Sequence, residues 1–208
     1  MTRLQSFLLT AAVLVLAAGA LAAQTQNIPL IQDQSDLEFV GQFNNNGADS
    51  LQFGYVSRME GLDDIFTGTP QNETTARFTF VTHATTIRAI TNGPFRIVNR
   101  VGTTKIYFNS GPSDFTNPAS FSQGTPIQVS TYRQQVVVNL NQLTFLTTHM
   151  NTITETHKFS IDGQNYRLGR VNGTFLTRYS GIVNSLDPVN FGWFGGTAVG
   201  TGAVPGRD

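Results

Sequence analysis

The sequence contains no cysteine and no excess of either charge: its 208 residues include thirteen basic and thirteen acidic side chains. Without cysteine the chain has no disulfide, no thiolate ligand for zinc or an iron–sulfur cluster, and no thiol nucleophile. Balanced charge argues against binding to nucleic acid or to an anionic membrane, because both need a surface with an excess of Lys and Arg. We therefore expect stability to come from an apolar core, and we expect no nucleic-acid partner.

Residues 1–22 have the three-part pattern of a cleaved secretory signal peptide. Arg3 supplies a short positive region, residues 7–16 form an apolar run, and Ala20-Leu21-Ala22 has the small-x-small spacing that signal peptidase accepts. The run is short for a membrane-spanning helix, which needs about 20 apolar residues. We expect cleavage after Ala22, a secreted or periplasmic protein, and no stable membrane insertion after cleavage.

Composition divides the rest of the chain into three parts. Residues 23–36 form a polar lead segment and residues 37–187 form one domain of ordinary size. Residues 188–208 are rich in glycine, which loses much conformational entropy when ordered, so we predict a flexible tail there. Phe191, Trp193 and Phe194 are unusual for a linker, and they leave docking onto the domain or a partner open.

The domain is predicted to be all-β. Runs rich in Phe, Val, Ile and Thr are separated by clusters of Gly, Asn, Pro and Asp, and no segment has the apolar spacing of an amphipathic helix. This pattern predicts a single antiparallel β-barrel or β-sandwich built from short strands and hairpins. An outer-membrane barrel would need strands with a uniformly apolar outer face, which the threonine-rich residues 144–156 fit poorly.

Two hairpins can be placed in register. Asp162-Gly163 is the two-residue turn in which both central positions tolerate a positive φ. That turn predicts the cross-strand pairs Ile161 with Gln164, Phe159 with Tyr166, His157 with Leu168, and Glu155 with Arg170. A weaker turn at Val101-Gly102 predicts Ile97 opposite Ile106 and Phe95 opposite Phe108.

Four polar residues at odd-numbered positions between 149 and 157 share one predicted strand face with apolar residues such as Phe145 and Ile153, which indicates a binding site inside the domain. Apolar cavities with a few placed polar groups are typical of ligand sites. The candidate ligand-binding residues are His149, Asn151, Glu155, His157, Phe159 and Tyr166. We predict no metal site, because His149 and His157 would lie about 26 Å apart along an unbroken strand at ~3.3 Å per residue.

No catalytic signature is present in the sequence. It has no G-x-S-x-G serine, no phosphate-binding loop and no dinucleotide motif in a strand–helix context, so we predict no catalytic residues and no cofactor. The alternative is a small barrel enzyme, of the cyclase or isomerase type, with Glu155, His157, Arg170 and Arg178 as its polar groups. The favoured interpretation is a non-catalytic protein that binds a small apolar molecule or, as a surface interaction module, a cell-surface component.

Overall fold

The computed structural model describes residues 37–109, 111–186 and 189–205, and the predicted signal peptide and polar lead segment lie outside this range. The strands are β1 (Leu37–Asn46), β2 (Asp49–Met59), β3 (Phe78–Asn92), β4 (Phe95–Phe108), β5 (Thr125–Asn139), β6 (Thr144–Thr156), β7 (Phe159–Ile161), β8 (Gln164–Leu168), β9 (Thr174–Val183), β10 (Val189–Val199) and β11 (Ala203–Pro205). Eight of them close into an antiparallel barrel in the order β1-β10-β9-β6-β5-β4-β3-β2. A separate sheet has the order β11-β8-β7.

The predicted fold class is confirmed, and the barrel rather than the sandwich is the form it takes. The strands are longer than expected, since β3 and β5 each have 15 residues where the sequence predicts two shorter strands. The predicted turn at Val101-Gly102 is wrong, because Gly102 lies within β4 opposite Tyr132. A Cβ atom on Gly102 would lie 2.6 Å from the Tyr132 hydroxyl, so this glycine makes room for a ring and does not form a turn.

The predicted flexible tail is wrong for residues 189–199, which form β10 and close the barrel between β1 and β9. Gly192 and Gly196 of this strand leave space for aromatic side chains from neighbouring strands. A Cβ atom on Gly192 would lie 2.6 Å from Cε1 of Phe43. The same arrangement recurs in the cross-strand pairs Gly41–Phe194, Gly54–Phe80, Gly102–Tyr132, Gly181–Phe145, Gly192–Phe43 and Gly196–Tyr179. Glycine is therefore a packing residue of the barrel interior.

One end of the barrel is covered by the three-stranded sheet, and we call it the plugged end. The Asp162-Gly163 turn is confirmed, with φ values of 51° and 78°, and it pairs Phe159 with Tyr166. The Phe159 ring lies 5.4 Å from Phe78 at the start of β3. Beneath this sheet, the Gln128 amide donates hydrogen bonds to the Leu168 carbonyl (3.0 Å) and the Thr201 hydroxyl (2.9 Å).

The opposite end, which we call the open end, carries only short connections between barrel strands. Among them are residues 47–48, 93–94 and 140–143.

A second apolar cluster lies outside the barrel, where residues 111–124 cross the outer face of β2 and β3. Phe53 and Phe121 are fully buried there, with ring centroids 5.4 Å apart. Trp193 of β10 faces outward and packs against Phe115 at 4.6 Å. Within the described part of the chain, no helix has the length and apolar content needed to cross a membrane.

Candidate functional site

A layer of hydrogen-bonded polar side chains crosses the barrel interior, centred on the hydroxyl of Tyr179. This hydroxyl donates to Gln52 Oε1 at 2.9 Å and accepts from Gln134 Nε2 at 2.8 Å. His149 Nε2 lies 3.0 Å from the same oxygen, and Tyr132 stacks on the imidazole at 4.3 Å. Strands β2, β5, β6 and β9 therefore each contribute to one layer.

The protons of this layer are fixed at neutral pH. The Tyr179 hydroxyl donates its single proton to Gln52. His149 therefore donates from Nε2 to the Tyr179 oxygen, and the neutral imidazole carries its proton on Nε2. Burial, followed by the positive charge of Arg100, lowers the pKa of His149 from 6.5 to about 3. Burial also raises the pKa of Tyr179 above its usual value. The layer is suited to a structural and hydrogen-bonding role, since neither group changes charge near pH 7.

Between this layer and the open end lies a cavity of about 120 Å³, which we call the open-end pocket. Its lining combines apolar and polar side chains, and its floor is formed by Gln52, Gln134 and Tyr179. The apolar wall residues are Phe43, Val98, Val136, Val138, Phe145, Val183, Leu186 and Phe194. The oxygen Oε1 of buried Gln134 has no hydrogen-bond partner among the described residues.

The open-end pocket is positively charged. Arg96 and Arg100 of β4 line it, and none of the described lining residues is acidic. Arg100 is half-buried, and its Nε donates to the Thr86 hydroxyl at 3.1 Å. Burial lowers the pKa of Arg100, and repulsion from Arg96 contributes to the lowering. A guanidinium nevertheless remains charged in proteins, so the pocket holds two cations.

A smaller cavity of about 60 Å³ lies on the other side of the polar layer. Gln52, Tyr179 and Phe194 line both cavities and separate them. The smaller cavity extends toward Leu37 and Ala198 near the plugged end.

The structure separates the residues that the sequence placed in one site. His149 and Asn151 are inside the barrel, with 4% and 3% of their surfaces exposed, as expected. The side chains of Glu155 and His157 are 60% and 53% exposed, and His157 Nε2 lies 3.6 Å from Glu155 Oε2. Neither lines the open-end pocket or the smaller cavity.

The cause is a β-bulge in β6. Val129 pairs with Glu155 while the next residue, Ser130, pairs with Ile153, so Thr154 is an extra residue. The bulge ends the alternation that placed Glu155 on the inner face. The predicted Glu155–Arg170 pair is wrong, because the β7–β8 pairing ends at Phe159–Tyr166, and the Glu155 carboxylate faces His157 instead.

The remaining candidates also lie away from the open-end pocket. Phe159 and Tyr166 pack against each other at the plugged end, with ring centroids 5.8 Å apart. Arg170 is exposed in the connection between β8 and β9, and Arg178 is exposed on the outer side of β9. The structure therefore does not bring the four polar groups of the alternative enzyme interpretation together around a cavity.

The sequence reading missed Arg100, Gln134 and Tyr179. Arg100 and Gln134 are cross-strand partners, and Gln134 is the partner of His149 on its other side. If alternation is followed along the whole of β4 and β5, Arg100, Gln134 and Val136 fall on inner faces. The predicted turn at Gly102 interrupted β4, so this alternation was not recognised.

No three histidine, aspartate or glutamate side chains in the described ranges are grouped so that they would hold a metal ion. Comparison of the chain with protein-family models, curated proteins and solved structures found no significant match.

Proposed function

We propose that the protein binds a small, largely apolar molecule in the open-end pocket. The observation that carries this proposal is a cavity at the open end that combines apolar side chains with a hydrogen-bonded polar floor. A few polar groups within apolar walls are typical of small-molecule sites.

The volume sets the size of the bound group. An apolar cavity of about 150 Å³ holds a benzene molecule. The open-end pocket, at about 120 Å³, accordingly fits one aromatic ring or a short branched chain, with any remainder of the ligand extending out of the open end.

A pocket-filling substitution tests the proposal. Val138 lines the pocket, whereas its neighbour Val137 lies on the outer side of the same strand. We expect saturation-transfer NMR to show saturable binding of benzoate or benzyl alcohol, lost in Val138→Phe and retained in the matched control Val137→Phe. Absence of binding by both probes, or equal binding by the two variants, would contradict the proposal. Thermal unfolding confirms that both variants are folded.

We also propose that the protein acts outside the cytoplasm, because residues 1–22 have the signal-peptide pattern. Mass spectrometry of protein recovered from its native host tests this. A mature chain beginning at residue 23 is expected, and an intact Met1 would contradict it.

A second candidate function, contact with another macromolecule, is favoured by the outer face of β4–β6 and β9. Ile97, Val137 and Leu146 are in cross-strand register there. Leu146 and nearby Ile182 are 46% and 58% exposed. Contiguous exposed apolar patches mark interaction surfaces. If this face mediates self-association, sedimentation velocity will show an oligomer that Leu146→Glu dissociates, and a monomer unaffected by that change would contradict it.

A further inference from the structure

We propose that the molecule bound in the open-end pocket is a small organic carboxylate, and that Arg100, assisted by Arg96, holds its carboxylate group. The inference rests on the proposed function and specifies the chemistry of the ligand.

The first step concerns charge. Arg100 is half-buried, and no described acidic side chain forms an ion pair with it or with Arg96. The described Arg–carboxylate ion pairs lie elsewhere: Arg58 with Glu38, and Arg77 with Asp64. A cation withdrawn from water without a counter-charge costs free energy. Arg100, with the exposed Arg96 beside it, is best neutralised by an anion that arrives with the ligand.

The second step concerns position. Thr86 and Gln134 are the cross-strand partners of Arg100 on its two sides, and all three residues line the pocket. The hydrogen bond from Arg100 Nε to Thr86 holds the guanidinium against β3. The remaining N–H groups have the planar fork geometry that binds a carboxylate through two parallel hydrogen bonds.

The third step concerns the rest of the ligand. Phe43, Phe145 and Phe194 form a wall beside the fixed polar floor. An anion with no apolar part would leave this wall exposed to water, whereas an aromatic or aliphatic acid covers it. A guanidinium fork binds a carboxylate or a phosphate monoester. The carboxylate is the smaller group, and it leaves more of the cavity of about 120 Å³ to the apolar part of the ligand.

The experiment compares probes that differ only in their polar group. Dissociation constants for benzoate, benzyl alcohol and phenyl phosphate are measured by NMR titration on the unmodified protein, on Arg100→Gln, and on the control Arg178→Gln. We expect benzoate to bind at least about tenfold more tightly than benzyl alcohol. We expect Arg100→Gln to weaken benzoate binding about 10- to 100-fold, since hydrogen bonds to charged groups contribute about 1.5–3 kcal/mol. Benzyl alcohol binding and the control variant should change by less than about threefold.

The outcomes separate this inference from the proposed function. Equal binding of benzoate and benzyl alcohol, or benzoate binding that Arg100→Gln leaves unchanged, overturns the carboxylate while the pocket stands. Tighter binding of phenyl phosphate than of benzoate also overturns the choice of a carboxylate. If no probe binds, or if Val138→Phe has no effect on binding, the proposed function falls together with the inference.

Discussion

The two ends of the barrel belong to the same eight strands, but they differ in how their interiors are completed. At the plugged end, aromatic rings and the Gln128 hydrogen bonds fill the space beneath a second sheet. At the open end, the interior holds two arginines without an acidic partner among the described residues, and a cavity of about 120 Å³. Departures from complete packing and polar pairing are expected where a protein functions. We expect the plugged end to provide stability, and the proposed site lies at the open end.

The difference in packing between the two ends is tested by replacing one phenylalanine with alanine at each end. Phe78 is fully buried at the plugged end and Phe95 is 46% exposed at the open end. We expect Phe78→Ala to lower the free energy of unfolding by about 3–5 kcal/mol, because the ring leaves a cavity in a packed core. Phe95→Ala should lower it by about 1 kcal/mol or less. Urea denaturation measures both values, and comparable losses would refute the assignment of stability to the plugged end.

Two glycines of β10 test how the wall of the open-end pocket is built. We expect Gly192→Ala to destabilise the protein by about 1–3 kcal/mol, because the new Cβ would collide with Phe43 and with the Ile182 carbonyl. Gly195→Ala is the matched control, since its Cβ would meet nothing nearer than the Phe39 carbonyl oxygen at 3.6 Å. Thermal unfolding compares the two. Equal melting temperatures would show that the close glycine–aromatic approach is not required.

The buried polar layer makes stability depend on pH. His149 has a folded-state pKa of about 3 against 6.5 for the exposed group, so below pH 6.5 the unfolded state binds a proton that the folded state excludes. Stability is therefore lost as pH falls from 6.5 toward 3, by up to about 1.4 kcal/mol per pH unit from this residue.

We expect His149→Gln to remove that contribution to the slope, and His83→Gln, at an exposed position of β3, to retain it. Chemical denaturation between pH 5 and pH 7 gives the slopes. An unchanged slope in His149→Gln would mean that this imidazole is accessible to protons in the folded state.

We expect the unpaired Arg100 at the open end to lower the free energy of unfolding. We expect Arg100→Met to raise the free energy of unfolding by about 0.5–2 kcal/mol without ligand, because an unpaired half-buried cation is replaced by an apolar side chain. Arg178→Met, at an exposed position, should change it by no more than about 0.5 kcal/mol. A clear loss of stability in Arg100→Met would show that the guanidinium is a structural element of the fold.

Local chemistry predicted some parts of this molecule well. The Asp162-Gly163 turn and its Phe159–Tyr166 pair follow from the φ preferences of two residues, and the structure has both. The inward positions of His149 and Asn151 follow from simple alternation along one strand.

The wrong predictions of a turn at Gly102 and of a flexible tail share a physical cause: glycine can form turns, but it can also leave space for an aromatic ring within a strand. In β10 and at Gly102 it makes space for rings from the neighbouring strand, a long-range requirement that local composition does not reveal. The bulge at Thr154 is similarly invisible in local periodicity, so Glu155 and His157 were placed inside. The pocket was missed with them, because Arg100 and Gln134 become neighbours only once β4 and β5 are read as continuous strands.

The most direct test of the site is a map of amide chemical-shift changes during titration with benzoate. We predict the largest changes at inward residues of the open-end pocket: Thr86, Val98, Arg100, Gln134 and Val136. Outer residues such as Leu146, and plugged-end residues such as Phe159, should change little. Changes centred on the outer face or the plugged end, or no saturable change at all, would contradict the account.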